Sequence, residues 1–91
     1  MSALEKEIIE KVGKILTSPP KMGIVVTLGR NKSESFTNFK RKLSQTSGSL
    51  NYHLLFLEKE NIVKKTSAGK YVLTDEGIKA FNIVKDVAKK E

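Results

Sequence analysis

The chain has 91 residues, 38% of them apolar and 30% charged, a composition typical of one soluble globular domain with no room for a second core. Lys and Arg number 17 and Asp and Glu 10, so the formal net charge is +7 and a polyanionic partner is favoured, nucleic acid first and acidic membrane second. The lack of cysteine and the single histidine exclude disulfides, thiol catalysis and thiolate or His-rich metal sites. No apolar run reaches the roughly 18 residues of a membrane-spanning helix and no signal-peptide pattern opens the sequence, which predicts a cytoplasmic protein.

The excess positive charge is confined to the middle of the sequence. Residues 35–57 contain three basic residues and no acid, and residues 61–74 contain three more and again no acid. Residues 1–17 and 75–91 each carry equal numbers of acids and bases. Because an amphipathic helix that binds an anionic bilayer needs a cationic excess, the neutral ends argue against a membrane partner. We therefore expect the partner to be double-stranded DNA.

Helical spacing opens the chain. Leu4, Ile8, Val12 and Ile15 lie on one stripe, and Ser2 is predicted to cap this helix. The Pro19-Pro20 pair ends it and opens a second helix over Met22 to Leu28, with Gly29 expected as its left-handed C-terminal residue. Residues 29–35 are predicted to be a polar loop.

The middle of the chain predicts two short helices joined by a turn. Thr37 is predicted to cap a helix that runs through Leu43, and Ser44-Gln45-Thr46 forms the turn. A longer helix, about 47–60, follows with its inward residues at Leu50, Leu54 and Leu57.

The period then changes from 3.6 to 2 residues, which predicts a β-hairpin over residues 62–73 with Tyr71 packing between hairpin and helix. Thr74 is predicted to cap a last helix with an apolar face of Ile78, Phe81, Val84 and Val87. Two helices with a three-residue turn form a helix-turn-helix, and the basic hairpin after them is a wing. The fold class is thus mainly α with a small β-hairpin wing (α+β), a single winged helix-turn-helix domain over residues 1–91 with amphipathic N- and C-terminal helices.

From Phe36 to Phe81 the sequence resembles winged-helix transcriptional regulators of the ArsR-like and MarR-like kind, particularly the small archaeal and archaeal-virus ones. The residues that carry the resemblance are Phe36-Thr37, Thr46-Ser47-Gly48-Ser49-Leu50, His53-Leu54, Leu57-Glu58-Lys59, Ile62-Val63 and Gly69 to Gly77. The resemblance implies a serine-rich start of the recognition helix, a His-Leu pair that packs it, and a wing that ends in Leu-Thr-x-x-Gly.

Three features depart from this family pattern. Metal-sensing members need thiolates or several histidines, so metal sensing does not carry over to this chain. Gln45 replaces a residue that is usually aliphatic, and Leu55 and Phe56 replace residues that are usually polar. His53 is expected to be structural, with a pH switch or a ligand role as the alternative.

The DNA contacts are predicted on the recognition helix, on the helix before it and on the wing. Base or groove contacts are assigned to Thr46, Ser47, Ser49, Asn51 and Tyr52, and phosphate or wing contacts to Lys40, Arg41, Lys64, Lys65 and Lys70. The alternatives are that Thr46 and Ser47 only cap the helix and that the lysines are only solvated. No Arg is available there for a bidentate guanine contact, so DNA shape is expected to matter.

The apolar stripes of the terminal helices, residues 1–17 and 75–91, predict a homodimer. Its interface is assigned to Leu4, Ile8, Val12, Ile15, Phe81, Val84 and Val87. The alternative is that both helices cover the core of their own chain.

The sequence therefore predicts a homodimeric DNA-binding transcriptional regulator without catalytic residues, metal or cofactor, and identifies no small-molecule effector. It is expected to act at the nucleoid, or in the host cell if the source is viral. One rival is an architectural protein that coats DNA with little sequence preference. Another is a protein-interaction module of the transcription machinery that uses Leu55 and Phe56. An enzyme is disfavoured, because the chain has no Walker-type phosphate loop and Asp75-Glu76 suits helix capping better than acid–base chemistry.

Overall fold

The computed structural model describes residues 2–89, with side chains for residues 2–87. Its helices and strands are α1 Ala3–Leu16, α2 Pro19–Asn31, β1 Ser33–Glu34, α3 Phe36–Lys42, α4 Ser47–Lys59, β2 Val63–Lys65, β3 Tyr71–Leu73 and α5 Asp75–Lys89. The strands form one antiparallel sheet in the order β1-β3-β2. This arrangement confirms the predicted winged helix-turn-helix. The predicted terminal helices also included Met1, Lys90 and Glu91, which lie outside the described residues.

Each helix begins at a hydroxyl side chain that accepts a hydrogen bond from the backbone amide three residues later, which satisfies one of the free amides of the first turn. These capping residues are Ser2, Ser18, Ser35, Thr46 and Thr74. The predicted caps at Ser2 and Thr74 are confirmed, and Thr46 caps α4 as the alternative to a groove contact had it. The prediction of Thr37 is wrong, because Ser35 has the extended backbone of a cap and its Oγ accepts from the amide of Asn38, so α3 already begins at Phe36.

Gly29 lies inside α2 and does not end it, contrary to prediction. The helix continues to Asn31, and the left-handed residue that ends it is Lys32, with φ 71°. The glycine has another reason, since a β-carbon at this position would overlap the Phe81 ring of α5. The absence of a side chain at Gly29 therefore lets α2 and α5 pack closely.

β1 is a strand where the sequence predicts a loop. Its residues Ser33 and Glu34 pair with Val72 and Tyr71 of β3, while β2 pairs with the other edge of β3. A two-residue strand has no alternation for periodicity to reveal, which explains why it was missed. Its position ties the start of α3 to the wing.

The core lies between the five helices and one face of the sheet. Its buried apolar residues are Ile8, Val12, Ile15, Ile24, Val25, Leu28, Phe39, Leu50, Leu54, Leu57, Ile62, Val63, Tyr71, Ala80 and Val84. The predicted inward stripe of α4, Leu50, Leu54 and Leu57, is thus confirmed. A β-carbon at Gly77 would overlap the carbonyl oxygen of Ile62, so α5 starts close against the backbone that leads into the wing. None of the helices described between residues 2 and 89 is long and apolar enough to cross a membrane.

Candidate nucleic-acid interface

The first half of α4 presents small and polar side chains to solvent. Ser47, Gly48, Asn51 and Tyr52 are exposed, Tyr52 with 60% of its surface. A β-carbon at Gly48 would meet no neighbouring atom within 4 Å, so the helix surface is open at this position. Small side chains let another macromolecule approach the helix closely. The major groove of DNA, about 12 Å wide, admits an α-helix.

Two of the predicted groove residues form hydrogen bonds within the turn. Thr46 Oγ1 accepts from the Ser49 amide at 3.1 Å, and Ser49 Oγ donates to Gln45 Oε1 at 2.6 Å. The Gln45 side-chain amide donates in turn to the Leu43 carbonyl at 3.5 Å. Gln45 therefore connects the loop between α3 and α4 to the first turn of α4. Thr46 caps α4, which is the alternative to a groove contact. Ser47 lies beside it with an exposed side chain.

Exposed basic residues lie on the helix before α4 and on the wing. Lys40 and Arg41 are exposed on α3, Lys64 and Lys65 on β2, and Lys70 just before β3. The wing loop is closed by a hydrogen bond from the Thr66 amide to the Lys70 carbonyl at 2.7 Å and by Gly69, whose φ of 80° is readily adopted by glycine. The loop therefore holds Lys70 opposite the end of β2.

Tyr71 connects the wing to α3. Its ring centroid lies 6.3 Å from that of Phe39, and Lys65 Nζ lies 5.6 Å from the Tyr71 centroid. Burial first, and then the charge of Glu58, raise the pKa of the Tyr71 phenol. The predicted packing of Tyr71 between wing and helix is confirmed, and α3 is the helix concerned. The cation of Lys65 and the helix that carries Lys40 and Arg41 thus share one aromatic side chain.

Glu34 is a structural part of this region that sequence reasoning missed. Its carboxylate accepts hydrogen bonds from Lys42 Nζ at 2.7 Å, Asn38 Nδ2 at 2.9 Å and the Ser35 amide at 3.2 Å. These donors, Lys42 first and Asn38 second, lower the pKa of the carboxyl from 4.5 to about 2. Glu34 thereby binds both ends of α3 to β1. It also pairs with Lys42, one of the three consecutive basic residues of α3.

A signal for Glu34 was present in the sequence. It is the only acid between Glu10 and Glu58. In the structure it is 7% exposed, and acids are rarely buried unless they are paired. A lone carboxylate in a basic stretch is a candidate for an internal ion pair. Its partner, Lys42, follows two other basic residues, and only the geometry of β1 distinguishes it from them.

Neither a protein-family model nor a curated protein sequence matches the chain. Solved structures do match in fold. Ligand-free NadR aligns with a TM-score of 0.77 at 20% identity over 96% of this chain and 68% of that one. A transcriptional regulator homologue from Pyrococcus horikoshii OT3 aligns at 0.72 and 26% identity over 92% of both chains, and the transcriptional repressor PagR of Bacillus anthracis at 0.75 and 18% over 94% and 99%.

The chain has the winged-helix fold of transcriptional regulators. In this fold, α3 and α4 form the helix-turn-helix, and β2 and β3 form the wing. The resemblance read from residues 36–81 is confirmed, since a transcriptional regulator homologue and a transcriptional repressor share this fold.

Lys21 of α2 is buried against α4 beside a histidine. Its Nζ lies 3.1 Å from His53 Nδ1, 4.6 Å from the Phe56 centroid and 5.3 Å from the Tyr52 centroid. Burial, and to a smaller extent the charge of Lys21, lower the pKa of His53, so that the neutral ring accepts the lysine hydrogen bond. This contact agrees with the structural role expected for His53. Phe56 packs against the core beside this contact, whereas the neighbouring Leu55 is 47% exposed.

The terminal helices of the winged helix pack on each other and on the core. Lys11 of α1 donates to Glu76 of α5 at 2.7 Å. Of the residues assigned to a dimer interface, Ile8, Val12, Ile15 and Val84 are buried within the single chain, Phe81 is partly buried over Gly29, and Leu4 and Val87 are 50% and 43% exposed. Most of the two stripes therefore covers the chain's own core, as the alternative described. Only Leu4 and Val87 of the seven remain largely accessible to a second copy.

Proposed function

We propose that the chain is a DNA-binding transcriptional regulator that acts as a homodimer, with α4 in the major groove and the wing on the flanking backbone or minor groove. The observation that carries the proposal is the small, polar outward face of α4 between two elements with exposed basic residues. Phosphates attract such side chains, and their neutralisation releases counterions from DNA. On this proposal the protein acts in the cytoplasm at the nucleoid, or at DNA of the host cell if it is encoded by a virus.

Contacts in the groove are proposed for Ser47, Asn51 and Tyr52, with Thr46 and Ser49 fixing the start of the helix. Contacts to phosphate are proposed for Lys40, Arg41, Lys64, Lys65 and Lys70. The packing of both Lys65 and α3 on Tyr71 supports this division, because it holds the wing and the helix-turn-helix in a fixed relation. Recognition by a preorganised surface avoids part of the entropic cost of binding.

The homodimer is proposed to form through the outer surfaces of α1 and α5. Exposed apolar side chains there include Leu4, Ile9 and Val87. A cleft of about 230 Å³, lined in part by Ile8, Ile9 and Ile83, lies between the two helices and offers a place for a partner's side chain. Two-fold symmetry suits a palindromic operator. Sedimentation velocity should show a dimer that Leu4→Glu with Val87→Glu dissociates and that Tyr52→Ala leaves intact, and a wild-type monomer at micromolar concentration would contradict this part.

Salt dependence tests the DNA-binding proposal. Fluorescence anisotropy of a labelled duplex, measured at several salt concentrations, should give a log–log slope on the order of −5 to −9 for the dimer. Lys65→Ala should weaken binding to all duplexes alike and reduce the slope, whereas Tyr52→Ala should reduce the preference for a selected site over random DNA. Lys6→Ala, which removes an exposed lysine from α1, is the matched control and should change neither. A slope near zero would contradict the proposal.

Selection of bound duplexes from a random pool separates a regulator from a coating protein. A regulator enriches one site, and the recovered half-sites should be related by two-fold symmetry. Salt-dependent binding without an enriched site would instead support an architectural protein.

A further inference from the structure

Leu55 is an exposed apolar side chain on the outward face of the recognition helix. At about 100° per residue it lies about 20° from Gly48 and about 40° from Asn51 and Lys59 around the helix axis. It is 47% exposed, whereas Leu54 and Leu57 beside it are buried in the core. Leu55 is thus in line with the residues that face outward and makes no part of the hydrophobic core.

The surroundings of Leu55 suit a polyanion better than an apolar protein surface. Lys59 is exposed one turn later, and Gly48 leaves the helix open two turns earlier. The two acids at the C-terminal end of the helix, Glu58 in α4 and Glu60 after it, interact with other elements. Glu60 accepts from Lys14 of α1 at 2.6 Å, and Glu58 is partly buried near enough to Tyr71 to raise the pKa of its phenol.

We propose, on the basis of the function proposed above, that Leu55 is a specificity-determining residue that contacts a thymine methyl group while Asn51 reads an adenine. The thymine C5-methyl is the one apolar group on the base edges of the major groove, and Asn pairs with the N6 and N7 edge of adenine. Asn51 and Leu55 are about 6 Å apart along the helix axis, which corresponds to about two base-pair steps. The half-site under α4 is therefore rich in A·T pairs.

The other outward side chains of α4 are also consistent with a preference for A·T base pairs. Its first three turns carry Ser, Gly, Asn, Tyr and Leu outward and neither Arg nor Lys, the residues that most commonly read guanine. A serine-rich helix start can approach the bases closely, but hydroxyl groups discriminate weakly among them. Leu55 and Asn51 are side chains whose preferred base edge follows from their chemistry, and both prefer the same base pair.

Replacement of thymidine by deoxyuridine tests the inference, because it removes only the methyl group. A duplex with the site recovered from the random pool is compared with one in which deoxyuridine replaces the thymidine under α4. Wild-type protein should bind the uracil duplex about three- to tenfold more weakly. Deoxyuridine outside the half-site should have no effect, and this comparison requires no variant.

Leu55→Ala should bind the thymine duplex as weakly as wild type binds the uracil duplex and should no longer distinguish the two. Because Leu55 is exposed, the variant should keep the wild-type circular dichroism spectrum and melting temperature. Ile78→Ala, which shortens an equally exposed side chain on α5, is the control and should keep the full discrimination. Asn51→Ala should relax the preference for adenine in a repeated selection.

The outcomes separate the two proposals. Absence of salt-dependent binding would overturn the proposed function and this inference with it. Tight binding to an enriched site without discrimination between thymine and uracil, or discrimination that survives in Leu55→Ala, would overturn only the role of Leu55. If Leu55→Ala bound DNA with unchanged affinity, the inference would also be rejected, and a contact of Leu55 with a protein partner would be favoured.

Discussion

Glu34→Gln should lower the stability of the fold at neutral pH, and the loss should disappear in acid. The pKa of the wild-type carboxyl is lowered from 4.5 to about 2, first by the hydrogen bond from Lys42 and then by that from Asn38. A carboxylate whose pKa is depressed in the folded state contributes stability that is fully present above pH 4.5 and is lost as the pH falls toward 2. Gln cannot ionise, so the variant lacks this contribution at every pH.

The expected magnitude follows from the pKa and from the solvent exposure of the pair. A fall in pKa from 4.5 to about 2 corresponds to roughly 3 kcal/mol, because one pKa unit is worth 1.36 kcal/mol. The Lys42 side chain is 44% exposed, so water screens the interaction and we expect about 1–2 kcal/mol. The Gln oxygen can still accept from Asn38 or Ser35, which limits the loss further. For a domain of this size, 1 kcal/mol shifts the melting temperature by about 4–8 °C, so the change lowers it by about 4–16 °C.

Urea unfolding followed by far-UV circular dichroism measures this effect. Wild type and Glu34→Gln are compared at pH 7, 4.5, 3 and 2 at one protein concentration, because assembly would make stability concentration-dependent. Comparison with wild type removes the contribution of Glu76, whose pKa is also lowered, chiefly by Lys11. Glu10→Gln, an exposed change of the same charge on α1, is the control and should follow wild type. Equal stabilities at pH 7, or a difference as large at pH 2 as at pH 7, would refute the reasoning.

Two further predictions concern the contacts of α2. Gly29→Ala should destabilise the protein by about 1–3 kcal/mol because its methyl group would overlap the Phe81 ring, whereas Gly13→Ala, with no neighbour within 4 Å, should stabilise α1 by up to about 1 kcal/mol. Urea unfolding should place wild type between the two variants, and Gly29→Ala at or above wild type would contradict the close approach. Lys21→Met should raise the pKa of His53 toward 6.5 but not to it, because burial is the larger cause of its lowering. An NMR titration of the His53 ring tests this, and an unchanged pKa would contradict the contact with Lys21.

Much of the fold could be predicted because the determining signals are local. The stripe of Leu50, Leu54 and Leu57, the hydroxyl cap at Thr46 and the change of period at the wing lie within a few residues of the structure that they specify. β1 was not predicted because its partner strand is distant in sequence and β1 has only two residues.

Where the deciding partner is far along the chain, a residue type alone was ambiguous. A glycine can end a helix or admit a neighbour, and Gly29 does the second because of Phe81. An apolar stripe likewise fits a core and an interface equally well. The burial of Ile8 and Val84 depends on how α1 and α5 pack, which periodicity does not contain.

The strand order β1-β3-β2 leaves β2 as an edge of the sheet. An edge strand has unpaired backbone groups that can join a second sheet, and charged residues, lysine above all, prevent this association. Two of the three residues of β2 are the exposed Lys64 and Lys65. Lys64 and Lys65, which are proposed to contact phosphate, therefore also protect the free protein from edge-to-edge aggregation. Replacing them by apolar residues would reduce its solubility and, on the proposed function, its binding to DNA.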